Sequence, residues 1–139
     1  MAQKKKGNLI IGTIGHDAHI VGSYVLTYAL KEAGYNVVNL GAMVSQEEFI
    51  AAAVETKADA ILVSSLYGMG IIDCEGLRDK ATEAGLKDTK LYAGGILTTD
   101  DRPWEDTSRR FKEIGFTRAY PPGTLPQTFL ADLKKDLCS

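Results

Sequence analysis

Short apolar runs alternate with longer amphipathic segments along the whole chain. The apolar runs predict five buried strands, near residues 9–14, 36–40, 59–64, 90–93 and 118–120. These runs are continuously apolar rather than alternating, which is typical of parallel strands whose two faces are both covered. Strands that alternate with helical segments predict a parallel sheet flanked by helices.

Helical spacing of apolar residues predicts a helix after each strand. In the first helix we expect one apolar stripe to face the core, namely Val21, Tyr24, Val25, Tyr28 and Ala29. Ser45 and Glu48 have the spacing of a capping box that opens the second helix. The third helix is predicted over residues 72–84. Pro103 suits the first turn of the fourth helix, and Thr124 is placed to cap the last.

The predicted fold class is α/β, a single doubly wound domain with a five-stranded parallel sheet of flavodoxin-like order 2-1-3-4-5. We find no linker, low-complexity stretch or internal repeat, so residues 1–139 are predicted to form one domain, with residues 1–7 flexible. In such sheets ligands bind beyond the carboxyl ends of the strands, where the strand order reverses. For this order, that point lies between the first and third strands.

Composition and charge narrow the class of partner. The chain has 139 residues, of which 45% are hydrophobic, and its 16 basic and 18 acidic residues leave a net charge of −2. This balance argues against nucleic acid as a partner. The absence of a signal peptide or a bilayer-spanning run predicts a cytoplasmic protein with no membrane partner. Cys74 and Cys138 are not in a CxxC pair, which fits a reducing compartment.

The loop after the first strand contains both histidines of the chain. His16 and His19 flank Asp17, and Gly15 and Gly22 bracket the segment. An imidazole is a good transition-metal ligand, and a carboxylate that accepts from its other ring nitrogen fixes its orientation. The simpler reading is a chance pair of surface histidines, with Asp17 capping the helix that follows.

Two further elements end predicted strands on the same edge. The hydroxyl pair Ser64-Ser65 follows the third strand, and Gly94-Gly95 follows the fourth. Taken singly, the serines can satisfy loop backbone groups and the glycines can form an ordinary turn. Short motifs of this kind have high false-positive rates. Considered alone, neither pair distinguishes a binding site from ordinary loop or turn structure.

Together, these elements resemble the pattern of cobalamin-binding domains. They occur in the order Asp17-x-His19-x-x-Gly22, Ser64-x-Leu66 and Gly94-Gly95. The resemblance covers nearly the whole chain and is close to one family, the small (sigma, or S) subunits of glutamate mutase. It is carried by residues 36–41, 63–68 and 120–124.

The resemblance implies roles for individual residues. His19 matches the lower axial ligand of cobalt, which replaces the dimethylbenzimidazole base of the cofactor itself. Asp17 matches the carboxylate that hydrogen-bonds the other imidazole nitrogen, and Ser64 matches a residue that hydrogen-bonds the displaced base. The paired glycines match positions that leave room for the nucleotide tail.

The complete set of cofactor-contacting residues implied by the resemblance is His16, Asp17, Ala18, His19, Ile20, Gly22, Ser64, Ser65, Leu66, Gly94, Gly95, Ile96, Leu97, Gly123 and Thr124. The chain departs from the clostridial pattern at three of these, since those members have Ser, Cys and Asn where this chain has His16, Ala18 and Ile96. His16 is therefore a second candidate ligand, and we expect His19 to bind the metal.

The family reaction is the reversible rearrangement of L-glutamate to threo-3-methylaspartate, with adenosylcobalamin as the source of radicals. In this family a separate barrel subunit (epsilon, or E) holds the substrate. The resemblance therefore implies the cofactor-binding component of a carbon-skeleton isomerase, working in a hetero-oligomer. Such a component has no substrate-binding catalytic residues of its own, and we expect this chain to be inactive alone.

Two alternatives come from other classes. A corrinoid carrier for methyl transfer shares the histidine ligation but usually has a helical cap domain before the cobalamin domain, whereas the first strand here begins by about Asn8. A receiver domain needs a phospho-accepting aspartate at the end of the third strand. This chain has Ser64-Ser65 there, and Asp59 stands at the opposite end.

Overall fold

The computed structural model describes residues 7–14, 21–65, 72, 74–95, 103–121 and 124–137. Its strands are β1 (Asn8–Thr13), β2 (Asn36–Asn39), β3 (Ala60–Ser65), β4 (Lys90–Gly95) and β5 (Arg118–Ala119). The helices in these ranges are α1 (Val21–Glu32), α2 (Gln46–Thr56), α3 (Leu77–Glu83), α4 (Trp104–Glu113) and α5 (Pro126–Leu137). None of these helices has the length and apolar character needed to cross a membrane.

All strand pairs are parallel, and the order is β2-β1-β3-β4-β5, which confirms the predicted topology. The register places Thr13 of β1 beside Ser64 of β3, and Ser64 beside Gly94 of β4. The carboxyl ends of the three central strands therefore lie level with one another. This edge is where the sheet order reverses and where such folds bind ligands.

One side of the sheet is covered by α2, α3 and α4, and we call it the α2–α4 face. Ile10 and Ile61 from the central strands pack there against Phe49 of α2, Leu77 of α3 and Phe111 of α4. All five side chains are fully buried. Full burial of such side chains stabilises a fold by about 1.5–3 kcal/mol each, so this face contributes much of the stability of the domain.

The other side is covered by α1 and α5, and we call it the α1–α5 face. Ile11 and Leu62 pack there with Leu30 of α1 and with Phe129 and Leu133 of α5. The side chains of a strand point alternately to opposite faces, so odd and even positions of each strand divide between the two cores. This division explains why the strands are apolar at nearly every position.

The boundary signals of α2 are confirmed. The Ser45 hydroxyl accepts a hydrogen bond from the Glu48 backbone N–H at 3.1 Å, and the Glu48 carboxylate accepts one from the Ser45 N–H at 3.1 Å. The helix ends at Lys57, whose φ of 54° lies in the left-handed region. Both donors at the amino end of α2 are thus satisfied within the motif.

The predicted core stripe of α1 is wrong where the side chains are described. Val25 is 57% exposed and Tyr28 is 68% exposed, whereas Thr27 and Leu30 are buried. Apolar residues occur on several sides of α1, so their spacing did not single out the buried face. The Asn39 side-chain amide donates to the Thr27 hydroxyl at 2.9 Å, and this contact joins the buried side of α1 to the end of β2.

Gly94 and Gly95 continue β4 rather than forming a turn. They pair with Ser64 and Ser65 of β3 in the same register as the residues before them. A glycine pair therefore lies within the sheet at its carboxyl edge, so this end of β4 has no side chains on either face.

The helix predicted over residues 72–84 is interrupted. Residues 72 and 74 are helical, residues 75 and 76 form a turn, and α3 follows from Leu77. Gly76 has a φ of 89°, and this left-handed conformation, which suits glycine, divides the predicted helix. Thr124 is not at the N-cap of α5, because the helix begins at Pro126 and Leu125 directly precedes it. The Thr124 hydroxyl donates to the Pro121 carbonyl at 2.8 Å.

Candidate functional site

Small side chains form a row across the carboxyl edge of the α1–α5 face. Thr13, Ser64 and Gly94 are neighbours on β1, β3 and β4, and alternation places them on the same face as the bulky residues two positions earlier. Those earlier residues are Ile11, Leu62 and Tyr92. Thr13 is fully buried, while Ser64 and Gly94 are half-buried. The side chains on this face therefore change from bulky to small at the carboxyl ends of the three strands.

Gly94 is not required by the packing of the described chain. A Cβ atom built on Gly94 would find its nearest neighbour at 3.9 Å, the Cβ of Tyr120, which is ordinary contact. Its φ also lies outside the left-handed region. Neither crowding by described residues nor backbone conformation therefore accounts for glycine at this position.

The two serines of β3 point to opposite faces of the sheet. Ser64 lies in the row on the α1–α5 face, whereas Ser65 shares the α2–α4 face with Ile61 and Val63. Ser65 is fully buried, and its hydroxyl has no hydrogen-bond partner among the residues that the structure describes. Buried polar groups are nearly always paired. Ser64 and Ser65 therefore do not line the same side of a crevice.

Tyr120 stands beside the row and is held from several directions. Its backbone N–H donates to the Ala93 carbonyl at 2.8 Å. Its hydroxyl donates to the Asp132 carboxylate at 2.9 Å, and its ring meets that of Phe129 edge to face at 5.4 Å between centroids. Burial, followed by the hydrogen bond to Asp132, raises the pKa of the Tyr120 phenol well above its usual range.

The carboxylate of Asp136, on α5, lies close to these aromatic side chains. Arg118 donates to both oxygens of Asp136 at 2.9 Å, and the Tyr92 hydroxyl donates to the same carboxylate at 2.7 Å. The Arg118 hydrogen bonds hold the pKa of Asp136 below its ordinary value, although partial burial opposes this. Burial raises the pKa of the Tyr92 phenol, and its hydrogen bond to Asp136 adds to the effect. Both phenols are neutral over the physiological range.

Several predicted site residues lie outside the described residues. They are His16, Asp17, Ala18, His19, Ile20, Leu66, Ile96, Leu97 and Gly123. Of the others, the structure brings Ser64 and Gly94 together at the carboxyl edge. Gly95 ends β4 opposite Ser65, and Gly22 lies in the first turn of α1.

Sequence reasoning missed two residues that the structure places at this edge, Thr13 and Tyr120. Thr13 was treated as one position of an apolar strand, and Tyr120 only as part of a family segment. The register with Ser64 is what brings Thr13 into the row. The sequence did contain a signal. The two strands that flank the switch point, β1 and β3, both end in a hydroxyl residue.

Comparisons with known proteins agree with this geometry. Residues 7–111 match the B12 binding domain family. The chain is 53% identical over 133 residues to the glutamate mutase sigma subunit of Clostridium tetanomorphum, covering 96% of this chain and 97% of that one. It is 51% identical over 136 residues to the glutamate mutase sigma subunit of Fusobacterium nucleatum, covering 98% of each.

Solved structures share the fold at low sequence identity. A cobalamin-binding protein from Desulfitobacterium hafniense superposes with a TM-score of 0.76 and 17% identity, over 94% of this chain and 58% of that one. The methanol:cobalamin methyltransferase complex MtaBC from Methanosarcina barkeri gives 0.72 and 23%, over 95% of this chain and 48% of that one. The chain thus spans about half the length of these solved chains.

A five-stranded sheet of this order, with a row of small residues at its switch point and a match to the B12 binding domain family, defines a cobalamin-binding domain. Within that class, the chain belongs to the family of glutamate mutase sigma subunits.

Proposed function

We propose that this protein is the cobalamin-binding subunit of an adenosylcobalamin-dependent glutamate mutase in the cytoplasm. It presents the cofactor to a barrel-shaped epsilon subunit, which binds the substrate, and it is inactive alone. The two subunits together interconvert L-glutamate and threo-3-methylaspartate. The observation that carries the proposal is the row of Thr13, Ser64 and Gly94 at the switch point of a sheet whose relatives are sigma subunits.

The described edge fits the nucleotide tail of a corrinoid. The volume beside Gly94 is open to a Cβ atom without a clash. Ser64 in the same row offers a hydroxyl that can donate to a ring nitrogen. A planar aromatic base needs an apolar slot with a small number of polar groups, and the side chains around this row provide both.

Metal ligation falls to the loop between β1 and α1. In this proposal the His19 imidazole would bind cobalt through one ring nitrogen, and the Asp17 carboxylate would accept a hydrogen bond from the other. Such a partner fixes the tautomer of a ligating histidine and makes it a stronger donor. The cofactor, when bound, supplies carbon-centred radicals by homolysis of its cobalt–carbon bond.

The carboxyl edge also has the character of a partner interface. Met43, Ile72 and Leu125 follow the carboxyl ends of β2, β3 and β5, and they are 59%, 63% and 62% exposed. Large exposed apolar side chains at one edge favour burial against another protein. Met43 also has a φ of 54°, a conformation that non-glycine residues rarely adopt and that clusters at functional sites. We therefore place the epsilon contact at this edge.

The decisive experiment combines the purified chain with adenosylcobalamin and the epsilon subunit of a sigma-subunit relative. We expect conversion of L-glutamate to threo-3-methylaspartate, detected by chromatography, only when all three components are present. Mixtures that lack one component are the controls. Cobalamin binding without any methylaspartate would reject the mutase assignment and leave the binding domain standing.

Ligation is tested separately by electron paramagnetic resonance of the cob(II)alamin complex. Wild-type protein should show hyperfine splitting from one protein nitrogen, and His19→Ala should lose it. His16→Ala is the matched control, because the chain has only these two histidines, and it should keep the splitting. If the splitting survives His19→Ala and disappears in His16→Ala, the ligand assignment is reversed.

The other two hypotheses are less well supported. The methyltransferase proteins share the fold at identities below 25%, whereas the sigma subunits share over half of the residues. A receiver domain is disfavoured by the end of β3, which is Ser65. Asp59 lies before β3, and its carboxylate accepts a hydrogen bond from the Asn8 N–H at 2.8 Å, at the opposite edge from the candidate site.

A further inference from the structure

A chain of hydrogen bonds and ion pairs joins the last helix to the edge of the sheet beside the candidate site. Tyr92 and Arg118 both bind Asp136, as described above. Arg118 also reaches Asp132, with 3.7 Å between Nη1 and Oδ1, and Asp132 accepts from the Tyr120 hydroxyl at 2.9 Å. We call these five residues, Tyr92, Arg118, Tyr120, Asp132 and Asp136, the clamp.

The clamp spans three elements. Asp132 and Asp136 are four residues apart on α5, so their side chains lie on the same side of the helix, towards the sheet. Tyr92 belongs to β4 and Arg118 to β5, and these two residues are direct neighbours in the sheet. Strand β5 has only two residues, so its backbone pairing is short. The clamp therefore supplies side-chain ties that hold this edge against α5.

Tyr120 is the member of the clamp that reaches the candidate site. Its Cβ is the nearest described atom to the open volume at Gly94, 3.9 Å from a Cβ built there. Its ring packs against that of Phe129, with 5.4 Å between the ring centroids, and its centroid lies 6.5 Å from that of the Tyr92 ring. With the hydroxyl bound to Asp132, both ends of this side chain are fixed, and a rotation of the ring would break contacts on α5.

The charges in the clamp determine how Tyr120 uses its hydroxyl. Both carboxylates of the clamp face the Arg118 guanidinium, and each accepts a hydrogen bond from one of the two phenols. The single proton of the Tyr120 hydroxyl is committed to Asp132. The ring is therefore presented as a neutral, rigid aromatic wall, the kind of surface on which a planar heterocycle packs well.

We infer that Asp132, supported by Arg118 and Asp136, is a positioning residue that holds the Tyr120 ring as one wall of the slot beside Gly94, and that this makes the site selective for corrinoids with an aromatic nucleotide tail. The inference rests on the proposed cobalamin-binding function and specifies which part of the ligand the clamp serves. It predicts that loosening the clamp weakens the hold on the tail and leaves the hold on the corrin ring unaffected.

The test compares two ligands that differ in the tail. Hydroxocobalamin has the dimethylbenzimidazole nucleotide, whereas diaquacobinamide has the same corrin ring and cobalt without it. Dissociation constants for both are measured by absorption titration on the full chain. For wild-type protein we expect hydroxocobalamin to bind more tightly than diaquacobinamide.

In Asp132→Ala, the affinity for hydroxocobalamin should fall about tenfold, in line with the loss of one hydrogen bond to a charged group. The affinity for diaquacobinamide should change less than about twofold, which is within the scatter of surface substitutions. Asp132→Asn keeps an oxygen acceptor for the Tyr120 hydroxyl and should restore most of the loss. Lys134→Ala, at an exposed position two residues further along α5, is the matched control and should affect neither ligand.

Tyr120→Phe provides a second variant that removes only the hydroxyl and keeps the ring packed against Phe129. It should show the same selectivity for the tailed ligand, with a smaller loss, even if Asp132→Ala does not fold. Equal losses for both ligands, or no loss for either, would overturn the inference while leaving cobalamin binding intact. If wild-type protein binds neither corrinoid, the proposed function fails and the inference fails with it.

Discussion

The two faces of the sheet differ most at their carboxyl edge. On the α2–α4 face, Gly12 is a packing glycine, because a Cβ built there would stand 3.2 Å from both Phe49 and Val44. On the α1–α5 face, a Cβ built on Gly94 has no described atom nearer than 3.9 Å. Among the described residues, the same residue type thus marks a filled core on one side of the sheet and an uncrowded position on the other.

This difference separates residues that pack the core from residues that belong to the proposed cofactor site. The α2–α4 face is filled with aliphatic and phenylalanine side chains up to Ile14, which is fully buried. The α1–α5 face changes from large apolar side chains to hydroxyls and glycine at the row, with Tyr120 and its carboxylate partner beside it. Substitutions on the two faces should therefore be distinguishable by whether they change stability or binding.

The largest effect is expected from Phe49→Ala on the filled face. Phe49 is fully buried, and truncation of a buried phenylalanine typically costs about 3–5 kcal/mol because it leaves a cavity. The free energy of unfolding, measured in urea, should fall by that amount, while cobalamin affinity per folded molecule stays the same. Val54→Ala, at an exposed position of the same helix, should stay within about 0.5 kcal/mol of wild type. A comparable loss in both variants would contradict the packing of this face.

The two glycines offer a more direct contrast. Gly94→Val should lower cobalamin affinity about 10–100-fold, because the new side chain would occupy volume that the ligand needs. This loss corresponds to the cost of about 1–3 kcal/mol that is typical of overpacking. Its unfolding free energy should be unchanged or slightly higher. Gly12→Ala should do the reverse, with a loss of about 1–3 kcal/mol in stability and no change in affinity. An unaltered affinity in Gly94→Val would show that the open volume is not used.

A smaller effect is expected from the pH dependence of the clamp. The Arg118 hydrogen bonds lower the pKa of Asp136 in the folded chain, so this carboxylate stabilises the fold above its unfolded pKa of about 3.9. That contribution is lost as the pH falls through the lower, folded value. Asp136→Asn should cost about 1.5 kcal/mol at neutral pH, the lower range for a hydrogen bond to a charged group.

The pH profile then identifies the source of that loss. Because Asp136→Asn has no carboxylate to protonate, its unfolding free energy should fall less steeply below about pH 4 than that of wild type. The matched control is Asp79→Asn, since Asp79 is exposed; its profile should follow wild type. If the Asp136→Asn and wild-type curves stay parallel between neutral and acidic pH, the ion pair contributes nothing to acid stability.

Much of the fold could be predicted from the chain because its signals are local. The capping residues of α2 satisfy each other within four positions. The continuous apolar strands imply two covered faces, which the structure confirms. The order of strands followed from the alternation of strands and helices together with the family resemblance.

Predictions from the sequence failed where the local pattern is compatible with more than one structure. Helix α1 has apolar residues on several sides, and the choice of Thr27 and Leu30 as the buried positions depends on what the sheet offers opposite them. The glycines of β4 have turn-like composition, yet they pair in register with β3. Both outcomes were decided by long-range partners that the local pattern does not encode.

The sequence alone determined the composition of the candidate site and the order of its motifs, because the identity of a ligating or hydrogen-bonding side chain is a property of single residues. Tertiary structure decided which of those residues share a face. Strand register set Thr13, Ser64 and Gly94 side by side and turned Ser65 away. It also brought Asp132 and Asp136 to Tyr120, Tyr92 and Arg118. The physical reason is that pleat alternation and helix packing convert distant sequence positions into neighbours only once the sheet has formed.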